Sequence, residues 1–126
     1  MEHPLLFEPD DPLVDRLRVV CLQFPEAVEV LGWGRPTFRA GKKQFAVAGS
    51  SMDRPYSVVF KPDPEERLAL LEDARFFVPP YYGPAGWLAL DFDGDDTDWV
   101  ELAELMQTSY RQVALKRQLA ALDAIM

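Results

Sequence analysis

One stretch of the chain concentrates positive charge in an otherwise acidic protein. Residues 33–61 hold six basic side chains against a single acid, whereas the whole chain carries a net charge of −8. Clustered lysines and arginines bind anions, which here means nucleic-acid phosphate, a small phosphorylated ligand or an acidic partner surface. The alternative is a solvated sheet edge protected by lysines, whose charges pair with acidic helices. The candidate anion-binding residues are Arg35, Arg39, Lys42, Lys43 and Lys61.

Aromatic side chains accompany this basic stretch. They are Trp33, Tyr81, Tyr82, Trp87 and Tyr110. Aromatic rings near basic groups can stack on a nucleobase or another flat ligand. The alternative is packing in the core and loops, with each polar tip bound to one partner. Trp87 shares a predicted strand face with Asp91, so we expect it to be the exposed ring, and with Tyr82 and Lys61 it could line a small-ligand pocket.

Lys61 is the most specific candidate for an anion anchor. It ends a strand whose apolar face is Tyr56, Val58 and Phe60, so alternation directs its side chain to the opposite face. It also precedes Asp63-Pro64, which predicts a helix start, and helix N-termini favour anions. The alternative is a surface ion pair of Lys61 with Glu65 or Glu66.

Catalytic and metal chemistry find little support. The single histidine, His3, lies in a predicted loose arm at residues 1–10, so the chain offers no Ser-His or Cys-His pair. No phosphate-binding or dinucleotide-binding glycine motif is present. The acidic loop from Asp91 fails the EF-hand pattern, because Asp96 and Leu102 stand where glycine and glutamate are needed. We expect no catalytic residue, no metal and no cofactor, although carboxylate or lysine catalysis stays open.

Composition predicts one globular domain. A chain of 126 residues with 48% hydrophobic residues can bury a core, and one cysteine, Cys21, excludes an internal disulfide. No apolar run approaches the ~20 residues of a membrane helix, and residues 1–12 do not resemble a signal peptide, so we expect a cytoplasmic protein. The negative net charge argues against duplex DNA as the ligand, because duplex readers are usually basic.

Hydrophobic periodicity predicts three helices and a sheet. Helices are expected from Asp11 to Phe24, from Asp63 to about Asp73 and from Trp99 to about Lys116, the last continuing or restarting toward Ile125. Alternating residues predict strands at 37–40, 44–48, 56–61 and 87–92, with a further short strand at 27–31. Phe45 and Val47 are expected on one face, and Cys21 in the core. The predicted core comprises Leu17, Val20, Phe45, Val47, Val58, Phe60, Leu88, Leu90, Leu102, Met106 and Val113, with Leu68 and Leu71 burying the second helix.

The order and spacing of several short motifs resemble the MmcQ/YjbR-like proteins, small bacterial proteins. The motifs are Phe24-Pro25-Glu26, Trp33-Gly34-x-Pro36-x-Phe38-x-x-Gly41-Lys42-x-x-Phe45-Ala46, Phe60-Lys61 before Asp63-Pro64, the Pro79/Pro80–Tyr82 loop, Gly86-Trp87 and Ser109-Tyr110. The resemblance runs from about Leu13 to Val113. It implies an α+β double-wing fold, and the family carries a DNA-binding label that rests on its wing-like shape.

The residues and the resemblance together give one set of expectations. We expect a single α+β domain over residues 1–126, with an antiparallel sheet and helices packed on one face. The favoured function is a non-enzymatic binding module that contacts nucleic acid or another anion through the basic meander 33–61. A small-ligand effector-binding protein is the alternative, and an enzyme is the least favoured. The candidate ligand-binding residues are Trp33, Arg35, Arg39, Lys42, Lys43, Lys61, Tyr82 and Trp87.

Overall fold

A computed structural model describes residues 4–125, and the prediction made for His3 lies outside them. The helices are α1 (Pro12–Leu22), α2 (Arg67–Leu71), α3 (Trp99–Val113) and α4 (Lys116–Ile125). The strands are β1 (Ala27–Gly32), β2 (Arg35–Ala40), β3 (Lys43–Ala48), β4 (Ser57–Phe60), β5 (Phe76–Phe77) and β6 (Leu88–Asp91). A single 3₁₀ turn, Gly83–Ala85, precedes β6.

The strands form one sheet in the order β1-β2-β3-β4-β6-β5, and every neighbouring pair is antiparallel. Short turns join β1 to β4, as antiparallel pairing requires. Buried residues of α1, α3 and α4 belong to the same hydrophobic cluster as one face of this sheet. The predicted α+β fold, with helices on one face of an antiparallel sheet, is confirmed.

Aspartate caps fix the starts of two of the helices that cover the sheet, α1 and α3. The Asp11 carboxylate accepts hydrogen bonds from the backbone N–H groups of Leu13 and Val14, at 3.0 and 3.3 Å. Asp98 does the same for Val100 and Glu101 at the start of α3. Each cap satisfies donors that a helix leaves free at its first turn. The final helix breaks at Ala114, whose backbone is extended, and restarts as α4.

The core agrees closely with the sequence. Nine of the predicted core residues are buried, and Val20 and Val113 are partly buried against the same cluster. Cys21 is fully buried, and this burial raises the pKa of its thiol, which fits a core position and not a reactive one. No helix within residues 4–125 combines the length and the apolar character needed to cross a bilayer.

A β-bulge corrects one predicted face. Phe38 pairs with Ala46 but Arg39 pairs with Gln44, so Phe45 is an extra residue in β3. A bulge puts two successive side chains on the same side of the sheet. Phe45 and Ala46 therefore both pack against the helices, whereas Val47 belongs to a separate cluster on the other face. The prediction that Phe45 and Val47 share a face is wrong.

The predicted helix from Asp63 is also wrong in its length and its buried face. Asp63 accepts the N–H of Glu65 through its side chain and that of Glu66 through its carbonyl, so residues 63–66 form a tight turn. The helix that follows, α2, has only five residues. Leu68, expected in the core, is 74% exposed, because the short helix turns only its last two leucines toward the core.

Within residues 4–10, the described part of the predicted loose arm, Leu6 and Phe7 contact the rest of the fold, whereas Pro4, Leu5 and residues 8–10 are exposed. The backbone N–H of Leu6 donates to the carbonyl of Gly34 at 2.9 Å. Phe7 is buried and its ring lies 5.4 Å from the ring of Tyr56. Tyr56 in turn donates its hydroxyl to the Asp11 carboxylate at 2.5 Å, which ties this segment to the helix cap.

Candidate functional site

The face of the sheet that points away from α1–α4, called here the outer face, carries most of the candidate residues. The pairing of the strands forms one row of directly opposed residues that crosses this face through all six strands. The row is Val30, Thr37, Val47, Val59, Ala89 and Phe77. Four of its members are buried. Three of these, Val47, Val59 and Ala89, form a hydrophobic cluster that contains no helix residue. The side chains that cover them are Phe77, Tyr82 and Trp87.

A second row brings the candidate cations and an aromatic ring together. Arg39 pairs with Gln44 in the ladder, and alternation from Thr37 places its side chain on the outer face. Lys61 and Trp87 each lie one position beyond the Phe60–Leu88 pair, next to each other on the same face. With strands about 4.8 Å apart, the Cα atoms of Arg39 and Lys61 lie roughly 10 Å apart across this row.

The candidate cations differ from five other arginines of the chain in their partners. Carboxylates pair with Arg18, Arg54, Arg75, Arg111 and Arg117. Within residues 4–125, none of Arg35, Arg39, Lys42, Lys43 and Lys61 forms an ion pair. The predicted alternative, in which acidic helices neutralise this set, does not occur among these residues, and Lys61 pairs with neither Glu65 nor Glu66.

Two of these cations also hold unused donors. The Nε atoms of Arg35 and Arg39 are buried and bond to no described residue. Buried polar groups of proteins are nearly always hydrogen-bonded, so a pair of orphaned arginine donors on one strand is uncommon. Both side chains are half-buried and lie four positions apart on the same face of β2. An anion that drew either guanidinium toward solvent would supply the missing acceptor.

The backbone of Lys61 is held by α3. Its N–H donates to the Ser109 hydroxyl at 2.8 Å, and its carbonyl accepts from the Gln112 side chain at 2.8 Å. These bonds fix the lysine at the end of β4 while its half-buried side chain keeps no described partner. The predicted contribution of a helix N-terminus is absent, because α2 is short and begins six positions later, at Arg67.

The remaining candidates lie at opposite ends of the sheet. Lys42 and Lys43 lie at the β2–β3 turn, exposed, at the end where Arg39, Lys61 and Trp87 also lie. The Arg35 side chain lies near the other end. Trp33 lies there too, 75% exposed in the β1–β2 turn with a φ of 55°. The predicted set therefore divides into a larger group at one end and a Trp33–Arg35 group at the other.

The aromatic loop is built to hold Tyr82 against Trp87. Their ring centroids lie 5.8 Å apart, and the backbone N–H of Trp87 donates to the backbone carbonyl of Tyr82 at 3.3 Å. Gly83 allows the loop to close, because a Cβ there would lie 2.4 Å from the Val78 side chain. Both rings are half-buried on the outer face, so Trp87 is not the exposed ring that the sequence predicted. The most exposed ring of the described aromatics is Tyr81, at 91%.

Tyr110 does not belong to the site. It is fully buried, stacks on Phe24 at 5.1 Å and donates its hydroxyl to the Pro25 carbonyl at 2.6 Å. Sequence reasoning also missed two residues that shape the outer face. Gln44 pairs with Arg39 on the outer face, and only the bulge reveals this position. Arg67 donates to the Gly86 carbonyl at 3.1 Å and so holds the aromatic loop, across a separation that no local pattern signals.

Two cavities of the described part of the chain lie away from the Tyr82–Trp87 pair. A cavity of about 230 Å³ lies between residues 5–9, α1 and the β1–β2 hairpin, and a smaller one of about 110 Å³ lies at the acidic loop. Neither is lined by Lys61, Tyr82 or Trp87. Among the described residues no group of three or more histidine, cysteine or acidic side chains is arranged to hold a metal ion.

Comparison with known proteins places the chain by sequence and by fold. The YjbR family model matches residues 22–112. No curated protein matches the sequence. A solved structure, that of Deinococcus radiodurans protein DR2400 with a DUF419 domain, is similar with a TM-score of 0.67 and 23% identity. The similarity covers 87% of each chain, so the two share the fold across most of their length.

Proposed function

The chain belongs to the YjbR family, and on that premise we propose that it is a non-enzymatic binding module whose outer face binds single-stranded nucleic acid. The observation that carries the proposal is the concentration of five unpaired cations within residues 33–61 of an acidic protein. Five other arginines, Arg18, Arg54, Arg75, Arg111 and Arg117, form ion pairs with carboxylates. Arg16 lies over the Trp99 ring instead, and Arg67 donates to the Gly86 carbonyl. Cations without carboxylate partners stay available for phosphate oxygens.

The charge distribution favours a single strand over a duplex. A rigid duplex presents phosphate over a wide surface and would approach the acidic flanks of the sheet, where a net charge of −8 opposes it. A flexible strand can follow a narrow basic path between Arg39 and Lys61. Single strands also offer base faces to aromatic rings, and stacking contributes about 1–3 kcal/mol per base. Tyr82 and Trp87 border this path, and Trp33 and Tyr81 expose rings at two turns.

Fluorescence anisotropy with a labelled single-stranded oligonucleotide tests the proposal. We expect binding at low salt that weakens as salt rises, with a slope of log K against log salt of about −0.7 for each phosphate contacted. A duplex of the same length should bind more weakly. Absence of binding at low salt, or affinity that does not respond to salt, would exclude phosphate contacts as the basis of this function.

The second candidate is a small phosphorylated ligand, and the Tyr82–Trp87 pair beside Lys61 is the observation that favours it. It is the weaker candidate, because small-molecule sites are usually enclosed clefts and the two cavities described above are lined by neither Lys61, Tyr82 nor Trp87. Thermal shift with mononucleotides and inorganic phosphate separates the two. A ligand at 100 times its dissociation constant should stabilise the fold by about 2.7 kcal/mol. Stabilisation by a mononucleotide, without salt-dependent oligonucleotide binding, would favour the small-ligand function.

A further inference from the structure

The first strand has one long edge that no other strand of residues 4–125 pairs with. In this part of the chain β1, six residues long, is bonded only to β2, whereas the opposite edge strand, β5, has two residues. Proteins usually protect an exposed edge with lysine, proline, a bulge or a very short strand. β5 is protected because it is only two residues long. β1 has no lysine or proline, and its ladder with β2 is regular over its whole length.

The exposed surface of this edge is apolar. Val28 and Val30 point to the outer face and are 44% and 40% exposed, and Leu31 is 60% exposed. Within β1 the one charged side chain is Glu29, which points toward α1. An inward charge can block strand addition, but here Arg18 neutralises it through bonds of 2.5 and 3.0 Å to the two carboxylate oxygens.

We propose that β1 is a dimerisation edge, which pairs antiparallel with β1 of a second copy of this chain. An unpaired strand edge offers backbone donors and acceptors, so its natural occupant is another strand. A second copy fits because β1 carries no uncompensated charge, and two molecules of net charge −8 meet with least repulsion where both surfaces are neutral. The pairing would join the two sheets across a two-fold axis.

Side-chain chemistry selects the register of this pair. Residues directly opposite in an antiparallel ladder share a face, so outer-face valines must meet outer-face residues. With Val30 on the axis, Val30 meets its own copy and Glu29 lies opposite Leu31 of the second copy. A shift that put Glu29 on the axis would bring two carboxylates together, which is unfavourable. An axis at Val28 would also keep the carboxylates apart, but it would pair only residues 27–29 of β1, against residues 28–32 with Val30 on the axis. We therefore assign Val30 to the two-fold axis.

Sedimentation equilibrium tests the dimer with matched charge variants. The wild-type chain should be dimeric at the highest concentration measured, about 0.1 mM. Val30→Lys places two ammonium groups together on the axis and should weaken dimerisation at least about a hundredfold. The control, Val19→Lys, changes an exposed valine of α1 and should leave the dimer intact. Far-UV circular dichroism verifies that both variants fold. A wild-type monomer at the highest concentration, or a dimer that Val30→Lys leaves unchanged, would overturn the proposal.

Cysteine cross-linking tests the register independently. Opposed residues of a ladder lie within reach of a disulfide, so Val30→Cys should form a covalent dimer under mild oxidation. In the same register the two copies of Val28→Cys lie about 13 Å apart and should remain uncrosslinked. The native Cys21 is fully buried and gives no background. Failure of Val30→Cys to cross-link, or equal cross-linking of Val28→Cys, would refute the assigned axis.

Discussion

The Ser109 hydroxyl donates a hydrogen bond of 2.6 Å to the carbonyl oxygen of Phe45. The same hydroxyl accepts the backbone N–H of Lys61 at 2.8 Å. Phe45 is the extra residue of the β3 bulge, and a bulge disrupts the regular ladder locally. One fully buried side chain of α3 therefore satisfies the bulge and fixes the end of β4, at the place where the candidate anion-binding row crosses the sheet.

Replacing Ser109 by alanine should destabilise the fold by about 3 kcal/mol, because it leaves the Phe45 carbonyl and the Lys61 N–H without partners in a buried place. Urea unfolding followed by circular dichroism measures the loss. Thr108→Ala, at the neighbouring position of α3, is the control and should change the free energy of unfolding by less than about 0.5 kcal/mol. Equal effects of the two variants would contradict a bridging role for Ser109.

Phe60→Ala should cost roughly 3–5 kcal/mol, because the ring is fully buried and contacts Phe76 at a centroid distance of 6.2 Å. Leu68→Ala is the informative comparison, since the sequence predicted both residues in the core. Because the Leu68 side chain is 74% exposed, Leu68→Ala should lower the free energy of unfolding by less than about 0.5 kcal/mol. Denaturant midpoints of the two variants measured side by side check this. A large loss for Leu68→Ala would mean that α2 is longer than five residues.

The sheet could be predicted because its strands follow a simple rule. Alternation of apolar and polar residues located the hairpin strands and assigned Val58 and Phe60 correctly to the helix-covered face. The bulge could not be predicted, because KKQFAVA alternates equally well without an extra residue. The shift at Phe45 is decided by tertiary contacts, namely the pairing of Phe38 with Ala46 and the bond from Ser109.

The prediction of a longer helix from Asp63 was wrong for a different physical reason. The Asp-Pro-Glu-Glu sequence is compatible with a helix start and with an isolated turn, since both use the aspartate to accept a nearby N–H. What decides the length is how much apolar surface the segment can bury. Here only Leu70 and Leu71 reach the core, so the helix stops after five residues.

For the candidate site, the sequence supplied the residues and the structure supplied their grouping. Charge counting identified the basic cluster, and the alternation of residues put the Lys61 side chain on the other face of the sheet from Phe60. The absence of ion pairs at Arg39 and Lys61 depends on where acidic residues lie in space, which no local pattern encodes. Register then separates Arg35 and Trp33 from the main group, because they lie near the opposite end of the sheet.

Alkaline pH should weaken the fold through Tyr110. Burial raises the pKa of its hydroxyl, and the negative charge of Glu26 adds to the effect. A raised pKa means that the folded state holds the proton more tightly than the unfolded chain. The associated stability is complete below the unfolded value near 10 and is lost as pH rises above it. The free energy of unfolding of the wild type should therefore fall more steeply from about pH 9 to 11 than that of Tyr110→Phe.

The control for this pH dependence is Tyr81→Phe, which changes a ring that is 91% exposed. Lysine deprotonation in the same range affects all three proteins alike, so only the difference in slope reports on Tyr110. Tyr81→Phe should follow the wild type. If Tyr110→Phe has the same slope as the other two, ionisation of Tyr110 does not limit alkaline stability.

Lys61→Met tests the anion anchor at its most specific residue. Methionine keeps an unbranched side chain and removes the charge, and the Lys61 hydrogen bonds to Ser109 and Gln112 use only the backbone. Folding stability should therefore change little, because the lysine has no described ion-pair partner to lose. Affinity for a single-stranded oligonucleotide should fall at least about tenfold, or ~1.4 kcal/mol, and the salt slope should become shallower by about 0.7.

The matched control for Lys61→Met is Arg16→Met. It removes the same unit of charge from an exposed position of α1, where the guanidinium lies 4.4 Å from the ring of Trp99 and away from the outer face. Because both variants change the net charge equally, a long-range effect of charge would weaken binding alike in the two. A local anchor predicts a loss in Lys61→Met alone. Unchanged affinity in Lys61→Met would remove this lysine from the site and leave it as a solvated end of β4.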